Sequence, residues 1–187
     1  MPQLVLASAS PRRRELLTAA GFAFDVDAAD IDESPLPNEA ADAYVLRVAR
    51  AKADAVSPRY PDRPVLAADT AVVVGIEILG KPGDAADAAR MLAQLSGRTH
   101  QVLTGMAVAY AGQVHAEVEQ TTVWMSKLAP SEIAAYVASG EPLDKAGAYA
   151  IQGLASRFIP RIEGSYSNVV GLPVAAVVQL LRRAGVA

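Results

Sequence analysis

The apolar and polar positions change period several times along the chain, and each change marks an element. Leu4, Val5 and Leu6 form a short continuous run of the kind that enters a sheet core. Ser10 and Pro11 then supply a hydroxyl N-cap and a proline at the first helical position, and Gly21 closes that helix. Phe22 to Val26 alternates as a strand does, and an acidic loop from Asp30 to Ser34 follows. Asn38 is placed to cap a helix from Glu39 to about Val56, whose inward stripe is Ala41, Tyr44 or Val45, Val48 and Lys52. Val65 to Val74 reads as a central strand, and Asp84 caps a helix with Ala85, Ala88, Ala89, Leu92 and Leu95 inward, closed by Gly97. Thr99 to Tyr110 and Val114 to Lys127 form two long strands joined at Ala111-Gly112 as an antiparallel hairpin. A short helix from Pro130 to Gly140, a strand over Phe158 to Ile162 and a final apolar helix from Val174 to Ala184 complete the pattern. Helices and strands alternate early and a hairpin comes late. That order predicts an α/β protein with a mixed twisted sheet and a ligand cleft.

Several polar residues interrupt this pattern. Arg12, Arg13 and Arg14 fill the first turn of the first helix, where the dipole disfavours cations. Free backbone N–H groups, the small hydroxyl residues Ser8 and Ser10 and these arginines suit a phosphate, although a solvated basic patch would look the same. At 100° per residue the three cannot share one face. Lys52 falls on the buried side of its helix, so its amine either snorkels to water or sits in a pocket beside phosphate or a carboxylate. Asp69 stands in the middle of an apolar strand. An unpaired buried carboxylate costs several kcal/mol, so Asp69 must be paired, protonated or cation-bound, or else cap a break in the strand. The first three states mark a candidate general base or metal ligand. Lys81 is presented by the turn Gly80-Lys81-Pro82-Gly83.

Composition narrows the chemistry further. With 187 residues, 52% hydrophobic and 20% charged, the chain has core enough for one domain or two closely joined lobes. The net charge of −3 excludes a surface that recruits nucleic acid as a whole, so any anion site is a local concentration of Lys and Arg. There is no cysteine, hence no thiolate nucleophile, disulfide or zinc ribbon, and His100 and His115 lack metal-ligand spacing and read as structural. No signal peptide or membrane span is evident, so a soluble cytoplasmic protein is expected. Ser8, Arg12, Arg13, Glu33, Lys52, Asp69, Lys81 and Gln152 form a cationic set with two carboxylates and no Ser-His pair. Such a set suits phosphoanhydride hydrolysis, with cations on the phosphates and carboxylates carrying a divalent metal or activating water. It does not suit acyl transfer, and there is no P-loop.

The run from Ser8 to Leu17 resembles the signature of the Maf family of nucleoside triphosphate pyrophosphatases. So do Ile31-Asp32-Glu33, Ala68-Asp69-Thr70, Gly80-Lys81-Pro82, Leu95-Ser96-Gly97, Asp144 to Tyr149, Ile151-Gln152-Gly153 and Val169 to Pro173, in the family's order over nearly the whole chain. The resemblance implies a single domain over residues 1–187, with two lobes around a central cleft, related to the inosine triphosphate pyrophosphatase fold and commonly a homodimer. It implies cleavage between the α- and β-phosphates with Mg²⁺ or Mn²⁺, Asp69 being the proton acceptor. Ser8, Arg13, Lys52 and Lys81 would hold the triphosphate, and Glu33 and Asp69 the metal. Arg12, Thr70 and Gln152 match the dTTP/UTP pyrophosphatase branch, whereas the 7-methyl-GTP branch carries Trp, Gln and Glu there. Gln152 can donate and accept at once, which suits the imide edge of a pyrimidine. The turn at Gly75-Ile76-Glu77 departs mildly from the family pattern. The implied role is removal of dTTP, UTP and modified pyrimidine triphosphates. The competing class is a phosphate-liganded regulator of cell division, after the septum-formation phenotype that names the family.

Overall fold

The computed structural model describes residues 3–186. Its sheet has seven strands in the order β2-β1-β3-β5-β6-β7, with β4 paired to β3 beside this path. The strands are β1 (Leu4–Leu6), β2 (Phe24–Val26), β3 (Val65–Val74), β4 (Glu77–Leu79), β5 (Thr99–Tyr110), β6 (Gln113–Trp124) and β7 (Arg161–Glu163). The α-helices are α1 (Pro11–Ala19), α2 (Ala41–Val56), α3 (Ala85–Leu95), α4 (Pro130–Ala138), α5 (Tyr166–Val170) and α6 (Val174–Arg183). β1 runs parallel to both β2 and β3, while β3–β4 and β6–β7 are antiparallel, so the expected mixed sheet is present.

The chain forms two compact units. The first comprises the described residues up to 70, residues 104–119 and the described residues from 171 on, and the second 71–103 and 120–170. In the first unit the alternation along β3 sorts side chains between two cores. Leu66 and Ala68 join Leu4, Leu6, Leu17, Leu172 and Val177 on the side of α1 and α6. Val65 and Ala67 join Val5, Ala49, Ala53 and Val56 on the side of α2. α2 lies very close to the sheet at Gly105, where an added Cβ would meet the carbonyl oxygen of Val45 at 2.2 Å. In the second unit Val72, Leu92, Leu95, Val123, Tyr136, Tyr149 and Phe158 form the core.

Several predicted boundaries shift for local reasons. Asn38 does not cap α2. It adopts a left-handed φ of 58°, which asparagine tolerates, and the helix starts at Ala41 with Ala40 as an N-cap that makes no side-chain bond. Ala41 and Tyr44 are only half-buried, and the inward stripe is instead Val45, Val48, Ala49, Lys52, Ala53 and Val56. The strand expected over Phe158 to Ile162 is divided, with a 3₁₀ turn over Leu154–Phe158 and β7 beginning at Arg161. β6 ends at Trp124 rather than Lys127. The short strand β4 went unpredicted, because three residues give too little alternation to register. The hairpin turn is as expected: Ala111 and Gly112 both have positive φ, at 49° and 76°, matching the twist of the flanking strands. His100 is buried, with Nε2 2.7 Å from Tyr149 Oη, and burial pushes its pKa down to about 4, so it is a neutral core histidine at neutral pH.

Candidate active site

The first unit gathers six of the predicted residues around the middle of β3, in two clusters on opposite faces of the strand. The cluster on the α1 side is built on Arg13. Ser10 caps α1 as predicted, its Oγ accepting from the Arg13 N–H at 3.4 Å, and this orients the first turn. The Arg13 side chain is 8% exposed and its donors are engaged within the protein. Nε donates to the Gly171 carbonyl at 2.8 Å, and Nη1 donates to the Ala68 carbonyl at 2.7 Å and to Ser8 Oγ at 3.2 Å. Nη2 donates to Thr70 Oγ1 at 3.1 Å. Burial pulls the guanidinium down from its ordinary pKa, while the charges of Asp69 and Glu33 push it back up. Arg13 therefore holds the β3 backbone just before Asp69 and the side chain just after it. Ser8 Oγ also accepts from the Ser10 N–H at 3.3 Å. Arg12 sits half-buried in the same helical turn.

The cluster on the α2 side is built on Lys52. Its ammonium donates to Asp69 Oδ1 at 2.9 Å and to Glu33 Oε2 at 2.8 Å. Lys52 and Asp69 are buried, and Glu33 is exposed. Of the two readings of Lys52, the pocket beside carboxylates is the one realised. Burial raises the Asp69 carboxyl above its ordinary pKa, and the charge and hydrogen bond of Lys52, then the charge of Arg13, work against that rise. The result is an ionisable carboxylate more basic than a surface aspartate, held by an ammonium. That is what a general base for water requires.

Two residues of α2 hold the Glu33 loop, and neither stood out in the sequence. Tyr44 Oη donates to the Glu33 carbonyl at 3.0 Å, and burial pushes the phenol up to about 12. Arg47 Nη2 donates to the Ser34 carbonyl at 3.0 Å, and Nε pairs with Glu39 at 2.6 Å, holding that carboxyl down at about 2. Thr104, fully buried on β5, lies 2.9 Å from Thr70 Oγ1, which is also 3.3 Å from the Gly171 carbonyl. The Thr70 hydroxyl is thus tied into the fold. A buried threonine in an otherwise apolar strand was the available signal for Thr104.

Lys81 and Gln152 belong to the second unit and are both exposed. The turn bearing Lys81 is fixed by the Gly147 N–H donating to the Gly80 carbonyl at 3.0 Å. Gly147 has φ 68° and packs so tightly on Val72 that a Cβ would come within 2.8 Å of it. Among the described residues no group of three acidic or histidine side chains could hold a metal by itself. Asp69 and Glu33 already share one cation, the Lys52 ammonium. That donor set fits a hard divalent ion that takes much of its shell from water and phosphate oxygens. No helix among the described residues is long and apolar enough to cross a membrane.

The chain is similar to proteins named dTTP/UTP pyrophosphatase. One, from Myxococcus xanthus, is 58% identical over 97% of this chain and 92% of its own length. Another, from Geobacter sulfurreducens, is 53% identical over 98% of this chain and 97% of its own. Among solved structures, a nucleoside-triphosphatase / dITP/XTP pyrophosphatase from Mycobacterium abscessus superposes with a TM-score of 0.46 at 16% identity, covering 98% of this chain and 97% of that one. The family profile described as Maf-like protein matches residues 3–184, and the chain belongs to that family.

Proposed function

We propose that the protein is a nucleoside triphosphate pyrophosphatase that converts dTTP and UTP to the monophosphate and pyrophosphate. It is an enzyme, a hydrolase of phosphoanhydride bonds, as the relatives named above are by their names. The observation that supports the assignment best is Asp69: a buried, basicity-raised carboxylate in an apolar strand, paired with a lysine that also holds a second carboxylate. Phosphate binding alone has no use for such a group. In the reaction Asp69 takes a proton from water, whose oxygen bonds to the α-phosphorus as the bond from that phosphorus to the αβ-bridging oxygen breaks. Pyrophosphate leaves with that oxygen and its electron pair.

Lys52 keeps Asp69 ionised in its buried position and holds Glu33 beside it. Asp69 and Glu33 are the residues that would hold Mg²⁺ or Mn²⁺, which supplies charge neutralisation of the phosphates when bound. Ser8 and Lys81 are assigned to the triphosphate, and Gln152, with Arg12, to the choice of base. Modified pyrimidine triphosphates fall within the same imide-edge recognition. The enzyme is proposed to work as a homodimer in the cytoplasm, with light scattering as the check on assembly.

The test is pyrophosphate release from a panel of nucleoside triphosphates with Mg²⁺ and with Mn²⁺. Turnover of dTTP and UTP well above ATP, GTP and 7-methyl-GTP is expected. No turnover by folded, metal-loaded protein overturns the proposal. A role in septum formation is read separately, by asking whether Asp69→Asn still perturbs division in cells.

A further inference from the structure

We propose that Glu141 and Tyr136 are positioning residues for Gln152, and that through it they set the preference for the nucleobase. The inference rests on the assignment of Gln152 to base recognition and goes beyond it. Gln152 is exposed and, among the described residues, has no hydrogen-bond partner, yet the turn that carries it is fastened on both sides. Before it, the Ala150 N–H donates to Tyr136 Oη at 3.2 Å. After it, the Leu154 N–H donates to Glu141 Oε2 at 3.1 Å. The fastenings are joined, because Tyr136 Oη donates to Glu141 Oε1 at 2.7 Å. The Gly153 N–H closes the turn onto the Ala150 carbonyl at 3.0 Å.

A side chain at position 153 would push the Glu141 carboxylate out of its place. A Cβ on Gly153 would fall 2.3–2.4 Å from the carboxylate atoms of Glu141. Tyr136 is 1% exposed and packs edge-on against Phe158 with ring centroids 5.9 Å apart, so the fastening is anchored in the core of its unit. Glu141 is itself oriented, its N–H donating to Ser139 Oγ at 3.3 Å. One carboxylate oxygen thus holds the turn directly and the other holds it through the Tyr136 hydroxyl, and the one polar side chain of that turn is Gln152.

Rigid placement is what an amide needs in order to discriminate bases. The imide edge of uracil or thymine offers a donor N–H beside carbonyl acceptors, while cytosine presents an acceptor ring nitrogen and an amino donor. With its backbone held, the amide is confined to the few orientations its side-chain torsions allow and favours one pattern, whereas a loose turn lets it reach either. Loosening the turn therefore lowers selectivity and leaves the phosphate chemistry largely intact.

The experiment measures kcat/KM for UTP and CTP in the wild type, Glu141→Ala, Tyr136→Phe, Gln152→Ala and the double variant Glu141→Ala/Gln152→Ala, with thermal unfolding to verify the fold. The expected result is a fall in the UTP-to-CTP ratio of about tenfold for Glu141→Ala and about threefold for the milder Tyr136→Phe. In the double variant the ratio should be no lower than in Gln152→Ala alone, since one residue acts through the other. Equal losses on both substrates, or selectivity losses that simply multiply in the double variant, overturn the proposal. An unchanged ratio in Gln152→Ala removes Gln152 from base recognition and the proposal with it. Pyrophosphatase activity on UTP in that same variant keeps the enzymatic assignment standing.

Discussion

β3 is flanked by two buried cations of opposite employment. On the α1 side, Arg13 donates to two backbone carbonyls and two hydroxyls, all neutral oxygens. On the α2 side, Lys52 donates to two carboxylates. Both residues carry one charge and both are nearly inaccessible, so burial alone says nothing of their use. The partner atoms do. A guanidinium with rigid, divergent donors suits bracing several backbone segments at once, whereas a compact ammonium suits balancing acids that must change protonation during turnover. On the α1 side Arg13 therefore braces the strand, and the α2 side carries the group proposed to react.

The largest expected effect tests the reactive side directly. Asp69→Asn should lower kcat by about three orders of magnitude, since one general base contributes about 10²–10⁴. Its thermal midpoint should hold or rise. A carboxyl whose pKa is raised by folding favours its neutral form, so its ionisation as pH rises weakens the fold, and asparagine removes that loss. A midpoint well below wild type would show that the Lys52 pair, rather than burial, dominates the energetics of Asp69.

Next comes Lys52→Met, where the expected readout is the pH profile. In the wild type the acid limb of kcat/KM should lie above the ordinary aspartate range, with activity falling as pH drops through it, because burial raises Asp69. Removing the opposing charge should move that limb to higher pH. A limb that stays in place would mean Lys52 has no electrostatic hold on the base.

Arg13 should respond differently. Arg13→Gln leaves buried carbonyls at Ala68 and Gly171 without their donors, and a loss of about 3 kcal/mol in chemical denaturation is expected. Arg13→Lys should recover little of it, since a single ammonium cannot serve the divergent acceptors. Full recovery by lysine would make Arg13 a simple charge and erase the contrast between the two faces. The smallest effect is reserved for Thr104→Val, about 1 kcal/mol for one hydroxyl contact to Thr70, with the acid limb unchanged.

How much of this was legible beforehand depended on range along the chain. Ser10 with Pro11, Gly21, and Ala111-Gly112 act over a few residues, and α1 and the hairpin turn stand where expected. Asn38 misled because cap and left-handed turn use the same residue type, and only the course of the following chain decides between them. Asp69 and Lys52 were conspicuous as charges at apolar positions, but that they pair, with Glu33 as the third member, depends on segments separated by 17 and 19 positions. Arg13 was legible as important and not as a brace. Its acceptors at Ala68 and Gly171 are backbone atoms, which side-chain patterns do not encode. The Glu141 fastening was invisible for the same reason, since it is read only from N–H groups at Ala150 and Leu154 and the missing side chain of Gly153.

The near-contact of Gly105 with the Val45 carbonyl has a mechanical consequence. That glycine acts as the fulcrum on which α2 rests, and Lys52 lies two turns along the same lever, roughly 10 Å away at 1.5 Å per residue. A methyl group at position 105 would wedge the helix upward and draw the ammonium off Asp69 without altering any residue of the site. Alanine there is a remote off-switch, and its reach would be measured by how far the acid limb of the rate follows the tilt.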